Sequence, residues 1–225
     1  MRDDITSIPI SEVFEPMDGC PLCRLQNMLE QRMASYITGA AMMEPDIRAE
    51  TNRLGFCHTH YGSILKQRKR LSVALMLESH LAEIEKQAFA TGLGGKTKKV
   101  KGEKQQTCFI CQQMDSNMDK FLLNIARVWE REEDFRKLYA RQEYFCMPHC
   151  RALTDAALHL PKKLQGEFVK VTAERTRAYL QTLENDVSHF CKMFDYRNNT
   201  ADADWGNSKD SIERAIAWLC AREVE

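Results

Sequence analysis

No stretch of about 18 consecutive apolar residues occurs in this chain, so its sequence offers no membrane-spanning helix. Charge of one sign is not in excess either. The 32 basic side chains balance 32 acidic ones, which removes any global pull toward nucleic acid or an anionic membrane. Apolar–polar alternation is missing and β-branched residues are sparse, which argues against a sheet. The opening MRDDITSIPISEVF has two acids where a secretion signal needs positive charge, and no apolar core follows. The expectation is therefore a cytoplasmic protein. Nor is there a G-x-S-x-G, a phosphate-binding loop or a G-x-G-x-x-G. The sequence thus leans away from an enzyme.

Cysteine is what the chain has in excess: nine in 225 residues. Without a secretion signal, clustered Cys and His point to metal binding or redox chemistry rather than disulfides. The cysteines are also patterned. Cys20-Pro21-Leu22-Cys23 is followed by Phe56-Cys57-His58-Thr59-His60, and Cys108-Phe109-Ile110-Cys111 by Phe145-Cys146-Met147-Pro148-His149. A shift of 88 residues superposes the first motifs, and a shift of 89 superposes the second. At this cysteine frequency about 0.4 C-x-x-C matches arise by chance, so one alone is weak. Two, each followed at nearly equal distance by F-C-x-x-H, mark an internal repeat. The register selects His60 over His58, which falls opposite Met147. It leaves Cys150 as a spare thiol beside the motif. Cys191 and Cys220 have no partner in the repeat and read as ordinary core cysteines. His80, His159 and His189 read as surface or satisfied polar residues.

The surrounding pattern is helical. Leu22, Leu25, Leu29, Met33, Tyr36 and Ala40 recur every three or four residues. Pro45 opens a short helix that Gly55 closes, and one long segment should run from His58 to Ala90. The second half repeats the plan with Ile110, Met114, Met118, Phe121, Ile125 and Val128, then Phe135, Leu138 and Tyr139, then an element from His149 broken at Pro161. The expectation is an all-α protein of seven or eight helices in two pseudo-repeated units, 1–90 and 108–197. A Gly- and Lys-rich linker, 91–107, joins them, and a loop and C-terminal helix, 198–225, follow. In that last helix Ser208 or Asp210 should cap the start, with Ile212, Ile216 and Leu219 facing the core. The basic run Lys66–Arg70 reads as a solvated face of the long helix.

Thiolate and imidazole are the usual protein donors to zinc, which takes four in a tetrahedron. Ligands separated by two residues can point at one ion, and two such pairs complete a Cys3His shell. The sequence supplies two shells: Cys20, Cys23, Cys57, His60 and Cys108, Cys111, Cys146, His149, hence two Zn2+ per chain. Grouping within each half is the simplest expectation for duplicated units, and it requires the chain to go out and back between motifs. A closed four-ligand shell leaves no position for water or substrate, so the metal should be structural. The role expected is a binding or scaffolding module for a protein or nucleic-acid partner. The alternatives are a thiol-based or metal-responsive sensor and a C-P-x-C oxidoreductase. The latter lacks the βαβ surroundings such motifs need.

The two C-x-x-C…F-C-x-x-H sets, with Phe194-Asp195-Tyr196-Arg197-Asn198 and Trp205-Gly206-Asn207-Ser208-Lys209-Asp210 behind them, resemble an uncharacterised bacterial family along nearly the whole chain. The resemblance implies a bacterial source and zinc-type sites, with no activity to carry over. It also suggests that Asp195, Tyr196 and Arg197 pack near the junction of the halves.

Overall fold

The computed structural model describes residues 10–89, 108–195 and 203–222. These form ten α-helices and two 3-10 turns, with no strand among the described residues. The all-α expectation holds. The linker 91–107 and the residues Tyr196 and Arg197 lie outside the described residues.

The chain forms two compact units, each drawing on both halves of the sequence. One contains Gln26–Met118, the other Ser7–Leu25 with Asp119–Glu225. Helices α2 (Pro21–Ile37) and α6 (Phe109–Arg131) carry the chain from one unit into the other.

The first unit holds most of α2, the 3-10 turn Ala40–Met43, α3 (Pro45–Leu54), α4 (His58–Lys66), α5 (Arg70–Phe89) and the start of α6. Pro45 occupies the first turn of α3, where its missing N–H costs nothing, and Gly55 ends the helix. Leu29, Met33, Ala34 and Ile37 of α2 are buried, as are Leu54, Ile64, Val73 and Met76 of the following helices. Helices α3 and α5 are tied by polar contacts as well. Ser79 donates to Asn52 Oδ1 at 2.8 Å, His80 Nδ1 donates to the Asn52 carbonyl at 2.6 Å, and Arg48 donates to the Leu75 carbonyl.

The expected single helix from His58 to Ala90 is in fact two. Helix α4 stops at Lys66, and Arg68 adopts a positive φ of 59° before α5 begins at Arg70. The basic run Lys66–Arg70 therefore lies across a bend and not along a helix face. No Gly or Pro marks this break, which is why periodicity alone passed over it.

The second unit is built around aromatic rings. Its helices are α1 (Ile10–Phe14), α7 (Glu133–Ala140), α8 (Met147–Ala156), α9 (Lys162–Met193) and α10 (Ser211–Cys220), with a 3-10 turn at Ala157–His159. Phe14 packs edge-on to Phe135 at 5.0 Å and stacks on Tyr139 at 5.8 Å. Trp129 meets Phe168 edge-on at 5.1 Å. Full burial of each such ring contributes about 1.5–3 kcal/mol. The Tyr139 hydroxyl, enclosed among them, shares a hydrogen bond with Thr172 Oγ1 at 2.6 Å, as a buried polar group must. Gln142 fastens α1 to this cluster by donating to the Phe14 carbonyl at 2.7 Å. Pro161 separates α8 from the 32-residue α9, as the sequence implied.

Helix α10 faces the other way from expectation. Ser211 and Trp218 are buried, whereas Ile212, Ile216 and Leu219 are exposed. Trp218 carries more apolar area than any of the three, and burying it turns the 212/216/219 stripe outward. Asp210 sits at the start of α10 without a side-chain cap bond. Its carboxylate instead accepts from Arg214 Nε at 3.0 Å, and Arg214 also reaches Asp186 on α9 at 3.0 Å. Cys191 and Cys220 are exposed, not core residues. His80 and His189 are satisfied by backbone carbonyls, and His159 is exposed.

Two candidate metal centres

Each motif sits at the start of a helix. The carbonyls of Cys20, Cys57, Cys108 and Cys146 accept the N–H four residues on, at 3.3, 2.9, 3.2 and 2.8 Å. Each of these residues is thus the half-in position that opens α2, α4, α6 or α8. The second ligand of each motif lies one turn further and points the same way. Helix N-termini favour negative charge, so four helix starts are directed at thiols that must ionise to bind metal.

The four helix starts meet in pairs, and the pairing is crossed. Cys20 and Cys23 lie with Cys146 and His149, while Cys57 and His60 lie with Cys108 and Cys111. The expectation of self-contained halves is overturned. Cys20 and Cys23 belong to the unit of Ser7–Leu25 with Asp119–Glu225, whereas Cys57 and His60 belong to the unit of Gln26–Met118. The out-and-back excursion never occurs. The first C-x-x-C joins the second C-x-x-H instead, all within one compact unit, and the second C-x-x-C joins the first C-x-x-H within the other.

Hydrogen bonds between turns hold each crossing. The Phe109 N–H donates to the Gly55 carbonyl at 2.9 Å, seating Cys108 against the turn that bears Cys57. Gly55 has φ +60°, and a Cβ there would come within 2.4 Å of His80 Nε2, so only glycine fits. In the other unit the Gly19 N–H donates to Glu143 Oε2 at 2.7 Å, joining the turn before Cys20 to the turn before Cys146.

The donor atoms of each cluster lie within 4.8 Å of one another. In the first, His149 Nδ1 is 3.7, 3.4 and 3.1 Å from the Sγ atoms of Cys20, Cys23 and Cys146, and Cys23 Sγ is 3.6 Å from Cys146 Sγ. In the second, His60 Nδ1 is 3.2, 3.2 and 3.4 Å from Cys57, Cys108 and Cys111, with Cys57 and Cys111 3.9 Å apart. A tetrahedral ion with sulfur at about 2.3 Å and nitrogen at about 2.0–2.1 Å would set these edges at about 3.5–3.8 Å. The donor sets therefore fit a tetrahedral metal. All eight sequence-predicted residues are in the two clusters. His58 is exposed and outside them, and Cys150, half-buried, is not a member.

The electrostatics point the same way. Burial opposes ionisation of Cys20, but hydrogen bonds from Cys146, Cys23 and His149 hold its thiol well below the ordinary value. Cys23 is driven up by its bonds to Cys146 and Cys20, and Cys146 is pushed up to about 12 by Cys20. In the other cluster burial opposes the Cys108 thiolate, and His60 with the backbone N–H groups of Cys111 and Cys57 still brings it down to about 6. Cys111 is pushed up to about 12, first by burial and then by Cys108. His60 is raised to about 10, first by Cys108 and next by Glu30. Three thiols this close cannot all ionise unaided. A divalent cation at the centre would remove that conflict.

A family model matches residues 1–225, the whole chain. The chain belongs to DUF6062, a family of unknown function. No curated protein and no solved structure matches it. For this DUF6062 chain the two Cys/His clusters, each able to hold a metal ion, are the chemistry on which a functional reading rests. No described helix is long and apolar enough to cross a membrane.

One residue at the second cluster had no signal in the sequence. Glu30 of α2 places Oε1 3.8 Å from His60 Nε2. A lone glutamate seven residues after Cys23 does not stand out in a chain with 32 acidic side chains.

Proposed function

We propose that each cluster binds one structural zinc ion, two per chain, and that the protein is a zinc-fastened helical module that presents its surface to a macromolecular partner, protein or nucleic acid. The observation that carries this reading is the closed donor set. Three sulfurs and one imidazole nitrogen converge within 4.8 Å of one another at each centre, with Cys20, Cys108, Cys146, His60 and His149 buried. Four protein ligands leave no position for a substrate or an activated water, which separates a structural site from a hydrolytic one. Zinc is favoured over an iron–sulfur centre because each set includes an imidazole. Bound zinc neutralises most of the thiolate charge, and the four helix starts offset the remainder.

The test is elemental analysis of protein purified without added metal. Two zinc ions per chain are expected. No metal, or iron with visible absorbance, would remove the reading.

A sensor is the second reading, favoured by one observation. Cys23, Cys57 and Cys111 are only half-buried, so an oxidant can reach a ligand in each cluster. Oxidation of a zinc thiolate would release the ion. Zinc release by peroxide at concentrations that leave Cys191 and Cys220 unmodified would support this reading over a purely structural one.

A further inference from the structure

We propose that Glu30 is a positioning residue for the second cluster: it accepts the Nε2–H of His60 and so fixes the ring with Nδ1 facing the metal. The inference rests on the zinc reading above. His60 is 2 % exposed, and its two ring nitrogens have separate surroundings. Nδ1 faces the three sulfurs of Cys57, Cys108 and Cys111. Nε2 is buried and has no hydrogen-bond partner at normal distance. A neutral imidazole that ligates through Nδ1 must carry its proton on Nε2, and a buried N–H is costly to leave unmet.

The Glu30 carboxylate faces that nitrogen, with Oε1 3.8 Å away. A small side-chain shift closes this to a hydrogen bond. Glu30 is itself steadied from one turn back on α2, where Gln26 Nε2 donates to the same oxygen at 3.3 Å. A carboxylate behind a metal-bound histidine sets its tautomer, restrains the ring and raises its donor strength.

The arrangement is not duplicated. The 88-residue register that superposes the two C-x-x-C motifs places Met118 opposite Glu30, and a thioether cannot supply that charge. The two metal sites are therefore inequivalent in their supporting residues, despite identical ligand types. Glu30 serves the His60 site alone.

The experiment is chelator competition on the full-length zinc-loaded protein, comparing the unaltered chain with Glu30→Met and Glu30→Gln. Helical circular dichroism serves as the folding control, and the near-isosteric Glu30→Gln carries the test should Glu30→Met not fold. One of the two ions should leave about 10–100-fold more readily in E30M. It should leave to an intermediate degree in E30Q, whose amide oxygen still accepts a hydrogen bond. The other ion should be unaffected. In the cobalt-substituted protein, the exchangeable His60 Nε2–H resonance should exchange with water faster in E30M than in E30Q, and slowest in the unaltered chain. A purely structural role for Glu30 would not produce that order. Equal weakening of both ions, or of neither, overturns the role of Glu30 and leaves the zinc reading standing. An unaltered protein that binds no zinc overturns both.

Discussion

The crossed pairing can be tested by counting metal in double variants. Under it, Cys20→Ser with Cys146→Ser damages one cluster twice, so one zinc ion should remain. Cys20→Ser with Cys57→Ser damages both clusters, so none should remain. Self-contained halves would reverse these counts. Stability should follow the same logic. The first cluster links Cys23 to Cys146 across 123 residues, and the second links Cys57 to Cys111 across 54. Treated as cross-links on the unfolded chain, these loops are worth about 5 and about 4 kcal/mol respectively. Losing the first should lower the melting temperature by about 10–20 °C for a chain of this size, against a usual margin of about 5–15 kcal/mol. Cys20→Ser and Cys146→Ser should therefore each cost about 5 kcal/mol, and the double variant little more, a coupling of similar size. Cys191→Ser, on an exposed thiol outside both clusters, should fall within about 0.5 kcal/mol of the unaltered protein. Thermal melts followed by circular dichroism, with zinc counted in the same samples, supply both readouts. One zinc in Cys20→Ser/Cys57→Ser and none in Cys20→Ser/Cys146→Ser would refute the crossing.

The metal-free protein should show its own pH dependence through Cys108 and His60. The Cys108 thiol is depressed to about 6, so its contribution is full above the ordinary thiol value and is lost as pH falls through about 6; His60 is raised to about 10, so its contribution is full below the ordinary imidazole value and is lost as pH rises through about 10. The thiolate–imidazolium pair thus exists between the two, and chelator-treated protein should melt highest in that window; a melting temperature flat from pH 5 to 11 would count against it. Gly55→Ala should cost about 1–3 kcal/mol from backbone strain alone, and more because the new methyl meets His80. It should also weaken zinc at the cluster containing Cys57 while sparing the other, as site-resolved chelator competition would read.

The eight members of the two clusters were legible because C-x-x-C and C-x-x-H are local patterns, and local patterns survive in sequence. Their pairing was not, since the ligand spacings are the same whether the motifs join within a half or across halves. Only the tertiary clustering of Cys20 and Cys23 with Cys146 and His149, and of Cys57 and His60 with Cys108 and Cys111, decides it. Pro45, Gly55 and Pro161 announced their boundaries through backbone chemistry. The bend at Arg68 did not, because a basic residue there adopts positive φ without any sequence marker. Helix α10 misled for a different reason. Ile212, Ile216 and Leu219 form a clean stripe, but Trp218 outweighs it, and periodicity does not rank side chains by area. Glu30 was invisible because the role proposed for it depends on α2 lying beside a histidine 30 residues away.

The ligand pairs close like nested brackets: positions 57–111 lie inside the span of 20–149. A chain leaving the ribosome at about 5–20 residues per second exposes Cys20 roughly 6–26 seconds before His149, 129 residues later, can reach it. Before Cys108 emerges, the nascent chain offers Cys20, Cys23, Cys57 and His60 alone, a complete four-donor set of the wrong membership. A zinc ion captured at that moment would lock the half-made chain in a pairing that the finished protein must undo. Under the zinc function proposed above, correct assembly depends on zinc arriving late or exchanging freely until translation has passed His149.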